Sequence, residues 1–190
     1  MEIDTLCYFV EGVESVHTLQ KAIFGRNAGP FHERLLELRR SADRALGLVN
    51  SVMWSDSLST YANRLTGGVP EYLGFWTSIV PFVTGLASRD RYLSFVGSRD
   101  GLKGMTGPDG LSIGTDRQRT MAIQNGLMSL AASRYDDSAT ALHFYMSNIP
   151  HAGEFMPGVV PEILGDAAGC YLQVLSGQTR HEATVSLGYR

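Results

Sequence analysis

Apolar residues recur at steps of three and four from the start of the chain. Ile3, Leu6, Val10, Val13, Val16 and Leu19 fall on one helical face, and Gly25 stands where that helix would end. After the turn residues Asn27-Ala28-Gly29-Pro30, steps of four and three alternate without a break through Phe31, Leu35, Leu38, Ala42, Ala45, Val49 and Val52. Glu33, Arg34, Arg40, Asp43 and Arg44 lie off this seam. The pattern predicts a long helix, and the small Ala42 and Ala45 predict a neighbour that approaches closely.

Ser55 and Asp56 can cap a shorter helix carrying Leu58, Tyr61, Ala62 and Leu65, with Gly67-Gly68 as its stop. Val69-Pro70-Glu71 has the chemistry of a helix entry, with Pro in the first turn and a carboxylate near the positive end of the dipole. It leads into residues 72–87, sixteen positions without a charge. That stretch is shorter than the ~20 residues a membrane span needs, and Pro81 interrupts it.

From 88 to 114 the helical period fails. Gly97, Gly101, Gly104, Gly107, Pro108, Gly110 and Gly114 predict one long irregular connection, with a short strand around 92–96. A connection of this kind is expected to be functional, mobile or pinned by a partner. Helix is predicted to resume at Thr115-Asp116-Arg117-Gln118, a capping-box spacing, and to carry Ile123, Leu127, Leu130 and Ala131. Asp136 or Asp137 caps the next helix, with Ala139, Leu142, Phe144 and Met146 among its apolar residues. A last helix follows Val160-Pro161-Glu162, and residues 184–188 alternate as a strand does.

The expected fold is therefore mainly α: a multi-helix, bundle-like single domain over 1–190 with one long Gly-rich loop and minor β around 92–96 and 184–188. Val69-Pro70-Glu71-Tyr72-Leu73-Gly74 and Val160-Pro161-Glu162-Ile163-Leu164-Gly165 match at five of six positions. A weak duplication of two halves, about 1–97 and 98–190, would produce this echo, as would the common use of Pro-Glu to start helices.

Composition narrows the classes. The chain is 44% hydrophobic and 18% charged, against about 25% charged in average globular chains. It can bury enough surface to fold, which excludes a disordered chain. The net charge of −3 and pI of about 5.9 argue against a protein whose main task is wrapping duplex DNA. Cys7 and Cys170 fit neither a zinc ligand set nor a disulfide framework, and read as small buried hydrophobes in a reducing compartment. Met1-Glu2-Ile3-Asp4 lacks the basic start of a secretory signal, so the expected location is the cytoplasm or the inside of a particle.

Three groups of residues could carry chemistry. Gly110-Leu111-Ser112-Ile113-Gly114 matches the G-x-S-x-G nucleophile pattern, which needs a strained turn between strand and helix to lift the serine. No strand is predicted before it, so Ser112 is a weak catalytic candidate. His143, His151 and Glu154 offer two imidazoles and a carboxylate for acid/base work or metal binding, at a spacing that matches no standard ligand motif. Arg39, Arg40 and Arg44 could meet phosphates, but Glu33, Glu37 and Asp43 lie among them, which favours ion pairing. No cofactor motif and no metal set is present.

The basic residues are fourteen arginines and only two lysines, Lys21 and Lys103, beside seven methionines and eighteen aromatics. Interfaces enrich Arg, Met and aromatics and deplete Lys. The chain is accordingly expected to be a non-enzymatic, self-assembling structural subunit: an obligate homo-oligomer, in its most specific form a capsid or coat protein, contacting its copies through Leu35, Leu38, Val49, Trp76 and Phe82. The alternative is a small helical enzyme or ligand-binding protein with a site near the 97–114 loop and His143, His151 and Glu154. A second alternative is an RNA-coating protein using its Arg clusters, although nucleic acid is not the favoured partner.

Overall fold

A computed structural model describes residues 1–25, 31–114, 119–152 and 163–164. Helices α1 (Ile3–Phe24) and α2 (His32–Ser51) pack as an antiparallel hairpin, with Arg39 of α2 reaching His17 and Glu14 of α1. Gly25, at φ 79°, turns the chain out of α1. Of the faces read from the sequence, Ile3, Leu6, Val10 and Val13 of α1 are buried, joined by Cys7, as are Leu35, Ala42, Ala45 and Val49 of α2. Leu38 and Val52 are half-buried, and Val16, Leu19 and Phe31 are exposed.

A second hairpin joins α6 (Ala122–Arg134) to α7 (Ser138–Ser147). Asp136 takes a positive φ of 61° in the turn, and the Asp137 carboxylate caps α7 by accepting from Thr140 N at 3.1 Å. Both hairpins pack against α3 (Val80–Val83), which carries the buried Phe82. The fold is thus mainly helical, with β structure confined to short two-stranded ladders. Among the described residues no helix is long and apolar enough to cross a membrane.

Residues 54–71 depart from the expected helix. β1 (Trp54–Ser55) pairs with β2 (Thr60–Tyr61), and β3 (Arg64–Thr66) pairs with β4 (Val69–Glu71), Leu65 standing opposite Pro70. Gly67 and Gly68, at φ 59° and 85°, form the two-residue turn with both angles positive that suits hairpin twist. They reverse a strand rather than stop a helix. Pro70 is tolerated because a two-stranded ladder leaves an edge that needs no donor. Residues 60–63 are buried consecutively, which no single helical face allows. The first copy of the internal echo is therefore strand β4 followed by irregular chain. Of the second copy only Ile163 and Leu164 are described, and they pair with Met121 and Thr120.

The strand expected around 92–96 is helix α4 (Arg89–Gly97). Tyr92 and Phe95, three apart, are fully buried while Leu93 is 55% exposed, so the burial period is helical despite the β-favouring side chains. Ser88 caps it, accepting from Arg91 N. The strand expected at 184–188 and the helix start at 115–118 lie outside the described residues.

The glycine-rich connection is neither structureless nor unusually long once folded. It holds α5 (Leu102–Met105) and the ladder of β5 (Thr106–Gly107) with β6 (Gly110–Leu111). Gly101, Gly104, Gly110 and Gly114 answer crowding, while Gly97 has open space. A Cβ on Gly101 would collide with the Phe95 carbonyl oxygen and lie 3.0 Å from its ring, and one on Gly104 would collide with the Arg99 carbonyl oxygen. Gly12, mid-α1, has open space instead. Gly101→Ala is therefore expected to cost about 1–3 kcal/mol through overpacking, whereas Gly12→Ala is expected to add about 0.5–1 kcal/mol by removing a flexible residue from a helix interior. Urea unfolding midpoints that move in the same direction for both variants would contradict this packing account.

Candidate functional site

The turn-rich segment between α2 and α4 wraps a cavity of about 230 Å³. Thr60 and Tyr61 enter from β2, Asn63 from the link to β3, Tyr72 and Ser78 from the chain after β4, and Asp100 from the start of the glycine-rich connection. The walls are held by side chains whose hydrogen bonds are already spent. Asn63, 2% exposed, donates from Nδ2 to the Phe75 carbonyl and to Thr77 Oγ1, both at 2.9 Å, and its Oδ1 accepts from Leu73 N at 2.8 Å. A buried amide satisfied in this way fixes the path of residues 72–77 over the cavity.

Tyr61 is fixed from behind by Arg91. The guanidinium donates to the phenol oxygen at 3.2 Å, to Asn50 Oδ1 at 2.9 Å and to the Asn50 carbonyl at 2.7 Å. It also stands 5.2 Å from the ring centroid of Trp54 and 5.9 Å from that of Tyr61. Burial pushes the Tyr61 hydroxyl above its ordinary pKa, and the Arg91 hydrogen bond opposes that shift. Tyr61, 1% exposed, therefore serves as a fixed wall of the cavity, while Thr60, Tyr72 and Asp100 supply the polar groups not already committed to that framework.

Behind this wall lies a column of aromatic rings. Tyr92 stacks on Tyr135 with centroids 4.5 Å apart and an interplanar angle of 4°, and donates to Asp137 Oδ2 at 2.9 Å. Burial raises the Tyr92 hydroxyl, as does its carboxylate partner, and burial pushes Tyr135 up to about 12. Burial also works to raise Asp137, but hydrogen bonds from Thr140 and Tyr92 outweigh it and hold the carboxyl below its usual range. Cys7 is a buried thiol pushed up to about 12 by burial, a poor nucleophile.

The residues singled out in the sequence fall elsewhere. Ser112 is fully buried, and its hydroxyl has no partner among the described residues. Its flanking glycines serve packing: Gly110, at φ 116°, sits against the Asn125 amide, and Gly114 lies under the Phe75 ring. The Ser112 backbone is bonded to Met105 rather than raised on a turn between strand and helix, so the nucleophile geometry is absent. His151 Nε2 lies 3.3 Å from Asp109 Oδ1, while His143 is exposed on α7 and lines a different groove. Glu154 lies outside the described residues. Among those residues no group of three His, Cys, Asp or Glu side chains could hold a metal ion.

Leu35, Val49 and Phe82 fill this chain's own core, and Leu38 and Trp76 are half-buried against it. Arg39 meets His17 and Glu14, and Arg44 donates to Ser41 Oγ at 2.9 Å. Arg40 is exposed. The cavity residues Tyr61, Asn63, Tyr72 and Asp100 were not legible as a site. The one available signal was Gly67-Gly68, which marks a hairpin and would have placed residues 60–72 on a returning chain.

No protein-family model matches the chain, and no curated protein sequence matches it. The fold is instead similar to part of a solved enzyme structure. That enzyme is neutral trehalase Nth1 from Saccharomyces cerevisiae, with a TM-score of 0.67 and 12% sequence identity over 97% of this chain. The aligned region spans 39% of the trehalase chain, and at this identity the likeness is one of fold alone.

Proposed function

We propose that this chain is a saccharide-binding segment of an α/α-type carbohydrate-active protein, with the cavity at Thr60, Tyr61, Tyr72 and Asp100 as its subsite. The observation that carries the reading is the chemistry of that cavity in a chain whose fold resembles part of an enzyme named for trehalose. At about 230 Å³ it lies below the roughly 300–1,000 Å³ of sites for drug-sized ligands, a scale suited to one sugar ring. Rigid aromatic rings pack against the C–H faces of a sugar, a carboxylate accepts from neighbouring hydroxyls, and a threonine hydroxyl both gives and takes. Glycoside hydrolysis uses a pair of carboxyl groups flanking the bond, and Asp100 is the only carboxylate lining this cavity among the described residues. The proposal is therefore binding by this segment, with hydrolysis requiring a second acid from outside it.

The test is a trehalose and glucose titration followed by thermal unfolding. Sugars stabilise any protein weakly by exclusion, so the informative quantity is the saturable difference between the wild type and Asp100→Ala or Tyr72→Ala. Ligand at a hundredfold excess over Kd adds about 2.7 kcal/mol, which for a chain of this length moves Tm by about 5–10 °C. Equal, non-saturating shifts in wild type and both variants would overturn the reading.

A second reading, self-assembly, is supported by the end of the first hairpin. The α1 stripe continues past Val13 into Val16, Leu19 and Ile23, exposed by 53%, 61% and 69%, with Phe31 of the facing end 72% exposed. Contiguous exposed apolar surface of this kind marks interaction sites. The partner we propose is further helical hairpins, such as those of a second copy, in its most specific form within a coat- or capsid-like particle. Leu19→Glu with Ile23→Glu is expected to convert an oligomer to monomer in sedimentation velocity. A wild-type monomer at micromolar concentration would remove this reading.

A further inference from the structure

We infer a second binding site, distinct from the saccharide cavity, for a small amphipathic anion: a carboxylate on an aliphatic or aromatic body. It is the open groove of about 560 Å³ between α5 and α7, within the size range of small-molecule sites. Leu102 and Phe144, 5% and 2% exposed, form its floor, and Val96 and Ala139 its sides. The two hydroxyls in the lining are occupied. Thr106 Oγ1 donates to the Leu102 carbonyl at 2.7 Å, and Thr140 is bound to the Asp137 carboxylate. What remains for a ligand is Lys103 on α5 and His143 on α7, both exposed and neither with a side-chain hydrogen bond or ion pair among the described residues, the His143 ring resting edge-on against Phe144 at 5.0 Å.

Charge and shape together select the occupant. Lys103 is one of two lysines in the chain, and among the described residues no acidic side chain lines the groove with it. An ammonium and an imidazole that can both donate, set above an apolar floor, match a ligand with an anionic head and an apolar body. A neutral apolar molecule would leave both donors unused, and a sugar would set most of its hydroxyls against the aliphatic lining of Leu102, Val96 and Ala139. The head group bonds to Lys103 and His143, and the body lies along Leu102, Phe144, Val96 and Ala139. Here the 97–114 segment and His143 do meet, without His151.

Decanoate and decanol, which share an alkyl chain and differ in the head group, are the probes for calorimetric titration of the full chain. Decanoate is expected to bind about tenfold more tightly than decanol. Lys103→Gln with His143→Gln should remove that preference while leaving decanol affinity unchanged, and Ala139→Phe should block both. Circular dichroism and the trehalose response of each variant report folding independently, since none of these residues lines the saccharide cavity. Equal binding of the two probes by the wild type, or an undiminished decanoate preference in the double variant, would overturn the assignment.

Discussion

Phe82→Ala is expected to lower the unfolding free energy by about 3–5 kcal/mol, the usual cost of emptying a large aromatic site in a packed core. Phe82 is fully buried and is the ring on which the aromatic core converges. It stacks on Phe95 at 4.9 Å and meets Tyr61, Tyr92 and Tyr135 edge-on at 5.5, 5.8 and 6.2 Å. Each contact of this type adds about 0.5–1.5 kcal/mol beyond area burial, and the surrounding rings are too rigid to collapse into the space left. Domains have only about 5–15 kcal/mol to lose, so the variant should be marginal at physiological temperature. Phe82→Leu, which keeps most of the volume, is expected to lose less than half as much. A fall in denaturant midpoint with an unchanged slope checks the claim, and a loss under 1 kcal/mol for the alanine variant would contradict this role of the ring. Because Tyr61 leans on Phe82, the same variant should weaken saccharide binding without touching a cavity residue.

The second large effect is expected at Asn125. This fully buried amide accepts from Leu111 N at 2.8 Å and donates to the Asp109 carbonyl at 2.9 Å and to Asn148 Oδ1 at 3.0 Å. Asn148 in turn donates to the Ala122 carbonyl at 3.0 Å, so the pair ties the β5–β6 turn to α6 and the end of α7. Asn125→Ala strands the Leu111 N–H and the Asp109 carbonyl, at about 1–3 kcal/mol for each buried group left unmade. Asn125→Asp is expected to be worse at neutral pH, because it sets a carboxylate oxygen against two acceptors. Burial and those acceptors raise its folded-state pKa above the unfolded value, so its stability should recover as pH falls toward the ordinary carboxylate range and decline as pH rises. Thermal melts of the two variants from pH 7 to pH 4 check the sign: the aspartate variant gains on the alanine variant with acid.

Both effects arise in parts of the chain that one-dimensional patterns describe poorly. Phe82 belongs to an uncharged stretch that reads as one helix, yet it folds as a 3-10 turn at Trp76–Ile79 followed by α3. Asn125 shows no period at all, and its value comes from three groups distant in sequence. The cavity at Tyr61 has the same character: Tyr61, Tyr72 and Asp100 share no motif, and only the reversal at Gly67-Gly68 brings the first two together. The anion groove was half legible, since both the glycine-rich segment and His143 stand out, but Lys103 joins His143 only because α5 and α7 line the same groove.

The sequence alone determined the mainly helical class, the two N-terminal helices with the turn between them, and a cap at Asp136 or Asp137. Periodic burial and capping are local or nearly local properties, so the order of residue types specifies them directly. Tertiary structure alone decided that residues 54–71 pair as strands, that 92–96 is helical, and that Gly101, Gly104, Gly110 and Gly114 mark crowding rather than freedom. Those outcomes depend on atoms brought from elsewhere: the Phe95 carbonyl against Gly101, the Asn125 amide against Gly110, and the Asn63 side chain holding the returning backbone. Local preference is worth only tenths of a kcal/mol per residue, and a buried contact or a satisfied buried amide outweighs it.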